Sequence, residues 1–228
     1  MIIRLHLLWY ATDKYPRADK PRPTSYHDRE YAPSWSWAAV IGRKTFAWKE
    51  NYSFSELDRL TPKIEILELN VEPENPMLNP YGAVKSGGYL RARGFLCPGR
   101  AKYWPGYNGP EYCRWTPSVN TELSSVEIQP DVPDTFRQQA ADPNSMFYLL
   151  PICAQFEDKN PVFGAVDPTG FTKTHGLVLA KESADNDDED GPYRRVGYFE
   201  FEPGAMYGWV LEWAFWEDLG TEKDIRIV

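Results

Sequence analysis

The sequence predicts an all-β, mainly antiparallel fold: a single-domain barrel or sandwich with one long aromatic loop and little helix. Three observations carry that expectation. Trp, Tyr and Phe number 9, 14 and 11, an abundance of residues that pack well on pleated surfaces. Pro and Gly number 20 and 16 and supply the turns that short strands need. Apolar or alternating stretches are interrupted every ~10–20 residues by Pro, Gly or Asn, and helical periodicity is hardly sustained anywhere. At 228 residues the chain can bury a core without disulfides or metals, and neither an internal repeat nor a composition shift divides it.

Strands are expected over Ser34 to Val40, Thr45 to Trp48, Lys63 to Val71, Gly88 to Leu96, Ser145 to Phe156, His175 to Ala180, Tyr193 to Phe201, Trp209 to Phe215 and Asp224 to Val228. In Gly88 to Leu96, Leu90, Ala92, Gly94 and Leu96 share one parity and Arg91 and Arg93 the other, which buries the first set and turns the arginines out. In Lys63 to Val71 the apolar parity changes between Ile66 and Leu67, so a bulge near Leu67 is needed to keep both sets inward. Helix is expected only in short pieces, Met1 to Tyr10 and Val132 to Ala141, the latter with Pro133 at an early helical position.

Loops are expected at Thr12 to Glu30, Pro98 to Pro117 and Glu182 to Pro192. The middle one carries Tyr103, Trp104, Tyr107, Tyr112 and Trp115, too aromatic for simple disorder, and is read as an ordered excursion over the mouth of the barrel or sheet. The third holds five carboxylates within Asp185 to Asp190. Read as a calcium loop from Asn186, it places Gly197 where a bidentate Glu is required, so it is read as a solvated hairpin tip.

With 25 basic and 33 acidic side chains, the formal charge of −8 disfavours nucleic acid or an anionic membrane as the principal partner. The first ten residues, MIIRLHLLWY, lack the length of a spanning helix and a small-residue cleavage site. Cys97, Cys113 and Cys153 form no CxxC pair and leave one thiol over in any disulfide scheme, which suits a reducing, cytoplasmic setting.

The catalytic templates find nothing: the sequence holds no GxGxxG, no phosphate loop, no GxSxG elbow and no HExxH. The histidines are His6, His27 and His175. His175 opens a strand one residue before Gly176, and is either a hydrogen-bonded structural imidazole or a ligand-contacting one. Cys97 and Cys113 flank the aromatic excursion and are either free buried thiols or, if the loop folds back, an opportunistic pair. Cys153 lies in an apolar run and reads as core. On a strand, Trp35 and Trp37 would share a face, as a core plug or as the wall of an apolar pocket. Of the adjacent Arg194 and Arg195, one points inward and must be paired, with Glu200 or Asp167 in prospect, either as a structural ion pair or as an anion-binding group. A ligand pocket would therefore draw on Trp35, Trp37, Trp104, His175, Arg194, Tyr198 and Glu200. Catalytic residues are not assigned, and no metal or cofactor is expected.

The segment Tyr31-Ala-Pro-Ser-Trp-Ser-Trp-Ala-Ala-Val resembles the APSWSWA signature of fungal heterokaryon-incompatibility (HET) domain proteins. Leu7-Leu-Trp-Tyr10 and Pro21-Arg-Pro23 stand before it, as in that family. Asn79-Pro-Tyr-Gly82, Gly88-Tyr-Leu-Arg-Ala-Arg-Gly94, Leu149-Leu-Pro151, Gly176-Leu-Val-Leu179, Tyr193-Arg-Arg-Val-Gly197 and Ile225-Arg-Ile-Val228 follow in family order. The resemblance spans essentially the whole chain and implies the β-rich region C-terminal to the TIR-like HET module, which this sequence lacks. It therefore implies no NAD hydrolase activity. The excursion between Cys97 and Cys113 is longer than the family pattern. Two functions are in prospect: a non-catalytic recognition or regulatory module with a protein partner, or a small-molecule-binding β-barrel enzyme that takes a small apolar ligand.

Overall fold

The computed structural model describes residues 7, 9–11, 32–36, 39, 44–46, 60–74, 77, 85, 87–104, 112–118, 126–156, 172–182, 191–201 and 212–228. Within them lie β1 (Trp9–Ala11), β2 (Lys44–Phe46), β3 (Leu60–Pro62), β4 (Glu65–Asn70), β5 (Tyr89–Trp104), β6 (Tyr112–Pro117), β7 (Val126–Pro130), α1 (Pro133–Ala141), β8 (Phe147–Phe156), β9 (Thr172–Lys181), β10 (Tyr193–Phe201), α2 (Glu212–Leu219) and β11 (Thr221–Ile227). The fold is all-β, as composition predicts.

The strands β1 and β2 form a small sheet of their own, and the other nine form one large sheet. Its pairings run β5-β6-β7-β10-β9-β8 and return to β5 through Cys97↔Leu149 and Gly99↔Phe147. A ring therefore closes, although not evenly round an axis. The other strands hang on this ring: β4 and β11 flank the first half of β5, and β3 lies beside β8. All these ladders are antiparallel except the contact of β10 with β11 at Tyr193↔Ile227.

This topology makes two apolar cores on opposite faces of the β8–β9–β10 wall. Leu150, Leu177, Leu179 and Tyr198 point into the first with Leu90, Ala92, Ile225 and Ile227. Leu149, Val178, Ala180 and Phe199 point into the second with Trp115, Ile128, Phe136 and Trp216. A strand covered on both sides has no polar face to show, which is why Leu177-Val-Leu-Ala180 reads as an unbroken apolar run. The glycine before it is required by packing: a Cβ on Gly176 would sit 2.3 Å from the Leu150 carbonyl oxygen and 2.4 Å from the Phe199 ring.

The long strand β5 serves both cores by changing phase. Leu90, Ala92 and Leu96 face the first, then Cys97 and Ala101 the second. The predicted loop Pro98 to Pro117 is thus corrected in its described residues: Pro98 to Trp104 are the second half of β5 and Tyr112 to Pro117 are β6, with pairs from Gly99↔Pro117 to Trp104↔Tyr112, while 105–111, Tyr107 included, lie outside the described residues. Gly99 lies under Trp115, where a Cβ would come within 2.3 Å of the indole. Cys97 and Cys113 are not neighbours. Cys113 pairs with Tyr103, about 20 Å of strand from Cys97 at ~3.3 Å per residue, and neither is in a disulfide.

Other expectations divide. The bulge falls at Leu67, between Ile66↔Ala92 and Leu69↔Leu90, but it does not bring the second set inward: Leu69 and Val71 are exposed. The helix α1 begins on Pro133, after an extended Val132, and stacks Phe136 on Phe147 at 4.5 Å. The helix expected over Met1 to Tyr10 is overturned at its end, where Trp9 and Tyr10 pair with Phe46 and Thr45. The strand expected over Trp209 to Phe215 is overturned from Glu212 on by α2: Trp216 and Leu219, three positions apart, are both buried in the second core, and that spacing suits a helix face. Of the strand expected over Ser34 to Val40, the described residues 34–36 and 39 turn instead, with Ser36 N–H donating to Pro33 O at 2.9 Å and Ala39 N–H to Ser36 O at 3.0 Å. Pro33 fixes the turn that the aromatic pattern disguised. The segments 12–30 and 183–190, His6, His27, Trp37 and Asp167 lie outside the described residues.

Candidate functional site

Register brings three of the expected site residues together. On the first-core face, Glu200 of β10 pairs with His175 of β9, and Tyr198 with Leu177. The Tyr198 hydroxyl lies 2.5 Å from His175 Nδ1. Glu200 Oε2 lies 3.7 Å from the same nitrogen, and its other oxygen receives Lys173 Nζ at 2.6 Å. A line of four titratable groups thus runs from the half-buried Glu200–Lys173 pair to the fully buried Tyr198. Burial pushes the imidazole down to about 4, against the opposing pull of Glu200. At neutral pH His175 is therefore uncharged and a weak base, far from the value that general-base catalysis favours.

Sequence spacing concealed one neighbour. Cys153 of β8 stands opposite His175 in the ladder, with both side chains on the first-core face. A thiol, an imidazole and a carboxylate so arranged have the elements of nucleophilic catalysis. Cys153 is 3 % exposed and His175 1 %, so the pair is core, as the apolar context of Cys153 implied.

The remaining expected pocket residues do not converge. Trp35 packs against the first core, whereas the Tyr103 to Trp115 hairpin belongs to the second, where Trp115 Nε1 donates to the Phe147 carbonyl at 3.1 Å. The single pocket joining Trp35, Trp104 and His175 is corrected by that separation, because the β8–β9–β10 wall stands between the two cores. Trp104 points outward and is 45 % exposed. Arg194 pairs with Ala180, on the second-core face of β10.

The inward arginine is Arg195, buried completely, and its partner is neither Glu200 nor Asp167. Asp131, at the end of β7, takes Nε at 3.0 Å and the second terminal nitrogen at 3.1 Å, while the first donates to the Leu7 carbonyl at 2.7 Å. This two-pronged pairing suits a guanidinium. A bulge between Arg195 and Gly197 keeps Arg195 on the same face as Tyr198 despite the change of parity. Around it, the Arg195 N–H donates to Ser34 Oγ at 3.1 Å, the Ser34 hydroxyl donates to the Val228 carbonyl, and the Val228 N–H donates to the Tyr193 carbonyl at 2.9 Å. Five segments distant in sequence, at Leu7, Ser34, Asp131, Arg195 and Val228, are thereby tied by one polar knot.

Further charged side chains line two outer faces. On β4–β5–β11 they are largely matched. Arg93 pairs with Asp224 at 2.7 Å and Arg91 with Glu68 at 3.3 Å, while Tyr89 donates to Glu68 at 2.5 Å. The Tyr89 hydroxyl, then Arg91, holds Glu68 below the usual carboxylate range, and Arg93 does the same for Asp224. Glu68, Tyr89, Arg91 and Asp224 line an open groove of about 480 Å³ with Ile225 and Arg226, and the Arg226 guanidinium lies 4.3 Å over the Tyr89 ring. On the β5–β6–β7 hairpin face, Arg100, Lys102, Arg114 and Glu127 are exposed beside Trp104.

The fold and these faces define a two-cored β module whose described cavity-lining chemistry is on the outside. No known family, curated protein or solved structure matches the chain. Among the described residues, no helix is long and apolar enough to cross a membrane, and no cluster of His, Cys, Asp or Glu is placed to hold a metal ion.

Proposed function

We propose that this chain is a non-catalytic recognition or regulatory module related to fungal heterokaryon-incompatibility proteins, acting in the cytoplasm on a protein partner. The observation that carries the reading is the division of polar chemistry between inside and outside. Inside, Arg195 is bound by Asp131 and Leu7, and His175 by Tyr198. Outside, charged and aromatic side chains are presented on rigid strands. The knot supports the resemblance as one of framework. Leu7, Ser34, Arg195 and Val228 each come from a segment that resembles the family pattern, and they meet at one place. Residues that fold the module are the ones expected to recur where its surface differs.

A photo-activatable side chain placed on each outer face in turn, in fungal extract, tests the reading. A recognition module gives one reproducible cross-linked protein from at least one face. Silence from both faces, together with a stoichiometric small molecule in the purified protein, would overturn it.

A second reading, a small-molecule-binding barrel enzyme, is favoured by the convergence of Lys173, Glu200, His175 and Tyr198 at one end of the first core. It requires an opening to Tyr198, which is 1 % exposed.

A further inference from the structure

We propose that the outward face of the β5–β6–β7 hairpin docks an extended acidic segment of a protein partner, with Arg100 and Lys102 meeting its carboxylates and Trp104 packing on its chain. This inference rests on the recognition reading and names the partner's chemistry.

Alternation along β5 sends Ala101 inward and Arg100, Lys102 and Trp104 outward. The ladder then sets Lys102 directly opposite Arg114. Like charges directly opposite each other disfavour the sheet. Neither Arg100 nor Lys102 makes an ion pair among the described residues, and the one contact of the Lys102 ammonium is with the Trp104 ring, at 5.1 Å. Glu127, opposite Arg114 on β7, is the face's single carboxylate on these three strands. On the β4–β5–β11 face, by contrast, Arg91 and Arg93 already have carboxylates.

Trp104 adds the second component. A large aromatic ring left 45 % exposed beside two cations offers contact area that needs little ordering on binding. Outward positions on one strand repeat every ~6.7 Å, the repeat of an extended peptide with a carboxylate at every second residue. Arg100 and Lys102 match that spacing. Arg100, Lys102 and Trp104 stand on the face of β5, which β6 pairs along Gly99 to Trp104, so a segment that meets them lies across the face. The net charge of −8 selects among polyanions. A nucleic acid presents a long line of charge that feels the whole acidic molecule, whereas a short peptide feels chiefly the patch it touches, within about one Debye length.

The test is fluorescence anisotropy of the full chain with a labelled peptide of alternating Ser and Glu, its Ser-Lys counterpart, and an oligothymidylate. The Ser-Glu peptide should bind, the Ser-Lys peptide should not, and binding should weaken at least about tenfold between ~50 and ~300 mM salt. Lys102→Glu or Arg100→Glu should weaken it by at least about tenfold, and Trp104→Ala measurably, with unchanged circular dichroism, while Arg226→Glu on the other face should not. Equal binding by Lys102→Glu, no binding of the Ser-Glu peptide, or preferential binding of the oligothymidylate would each overturn the inference. A partner cross-linked only from the β4–β5–β11 face would do so too, and would leave the recognition reading standing.

Discussion

Replacing Asp131 with Ala would strip a completely buried guanidinium of both its carboxylate contacts. Arg195 would still donate to the Leu7 carbonyl at 2.7 Å, but without a carboxylate from Asp131, in a site from which water is excluded. Removing one partner of a buried ion pair costs roughly 3–5 kcal/mol, because the other charge stays desolvated. For a domain of this size each kcal/mol is worth about 2–4 °C in Tm, so the melting temperature should fall by roughly 6–20 °C. The loss should exceed the local contact, since Arg195 also holds the turn at Ser34 and, through it, the Val228 end of the chain. Guanidinium unfolding followed by far-UV circular dichroism measures the change. The double variant Asp131→Leu with Arg195→Met is the control: with both charges gone and volume largely kept, it should recover most of the loss. A single-variant cost below about 1 kcal/mol, in the range of an exposed pair, would refute the knot as the tie between these segments.

His175, depressed to about 4 in the fold, binds a proton more readily when unfolded. Its contribution is complete above the ordinary imidazole value of ~6.5 and is lost as pH falls toward ~4, about 3 kcal/mol in all; urea melts across that window should show a slope that His175→Asn removes. Trp104→Ala should change stability by less than about 0.5 kcal/mol, whereas Trp115→Ala should cost roughly 3–5 kcal/mol, read from the same melts. Burial pushes the Cys97 and Cys113 thiols up to about 12, so Ellman's reagent should reach them only after unfolding; fast modification of either in the native protein would contradict their placement in the second core.

The parts of the fold that were legible are those in which a single core faces a strand. Leu90, Ala92 and Leu96 alternate with outward Arg91 and Arg93 as the pattern required, and the parity break at Leu67 marked a real bulge. The failures have physical causes. Pro98 and Gly99 read as punctuation, yet they sit where β5 passes from one core to the other, and the alternation of Ala101 and Tyr103 with Arg100 and Lys102 continues beyond them. Pro98 remains useful there through its carbonyl, which accepts the Ser118 N–H at 3.0 Å. The two-residue spacing of Trp35 and Trp37 suggested a strand, but at Trp35 Pro33 imposed a turn.

The site was half legible. That one of Arg194 and Arg195 must turn inward and be paired followed from strand geometry alone. Its partner Asp131 lies 64 positions away, and no local pattern encodes which carboxylate a buried arginine will meet. The grouping of His175, Tyr198 and Glu200 likewise needed the β9–β10 register, which depends on the bulge beside Val196.

The measurement that tests the central claim most directly is untargeted mass spectrometry of small molecules released on denaturing the purified protein. If the chain works by its outer surface around two packed cores, no compound should be released at or near one equivalent. A stoichiometric ligand, absent from a Tyr198→Phe preparation that melts at the same temperature, would contradict the account and place a binding cavity inside the first core.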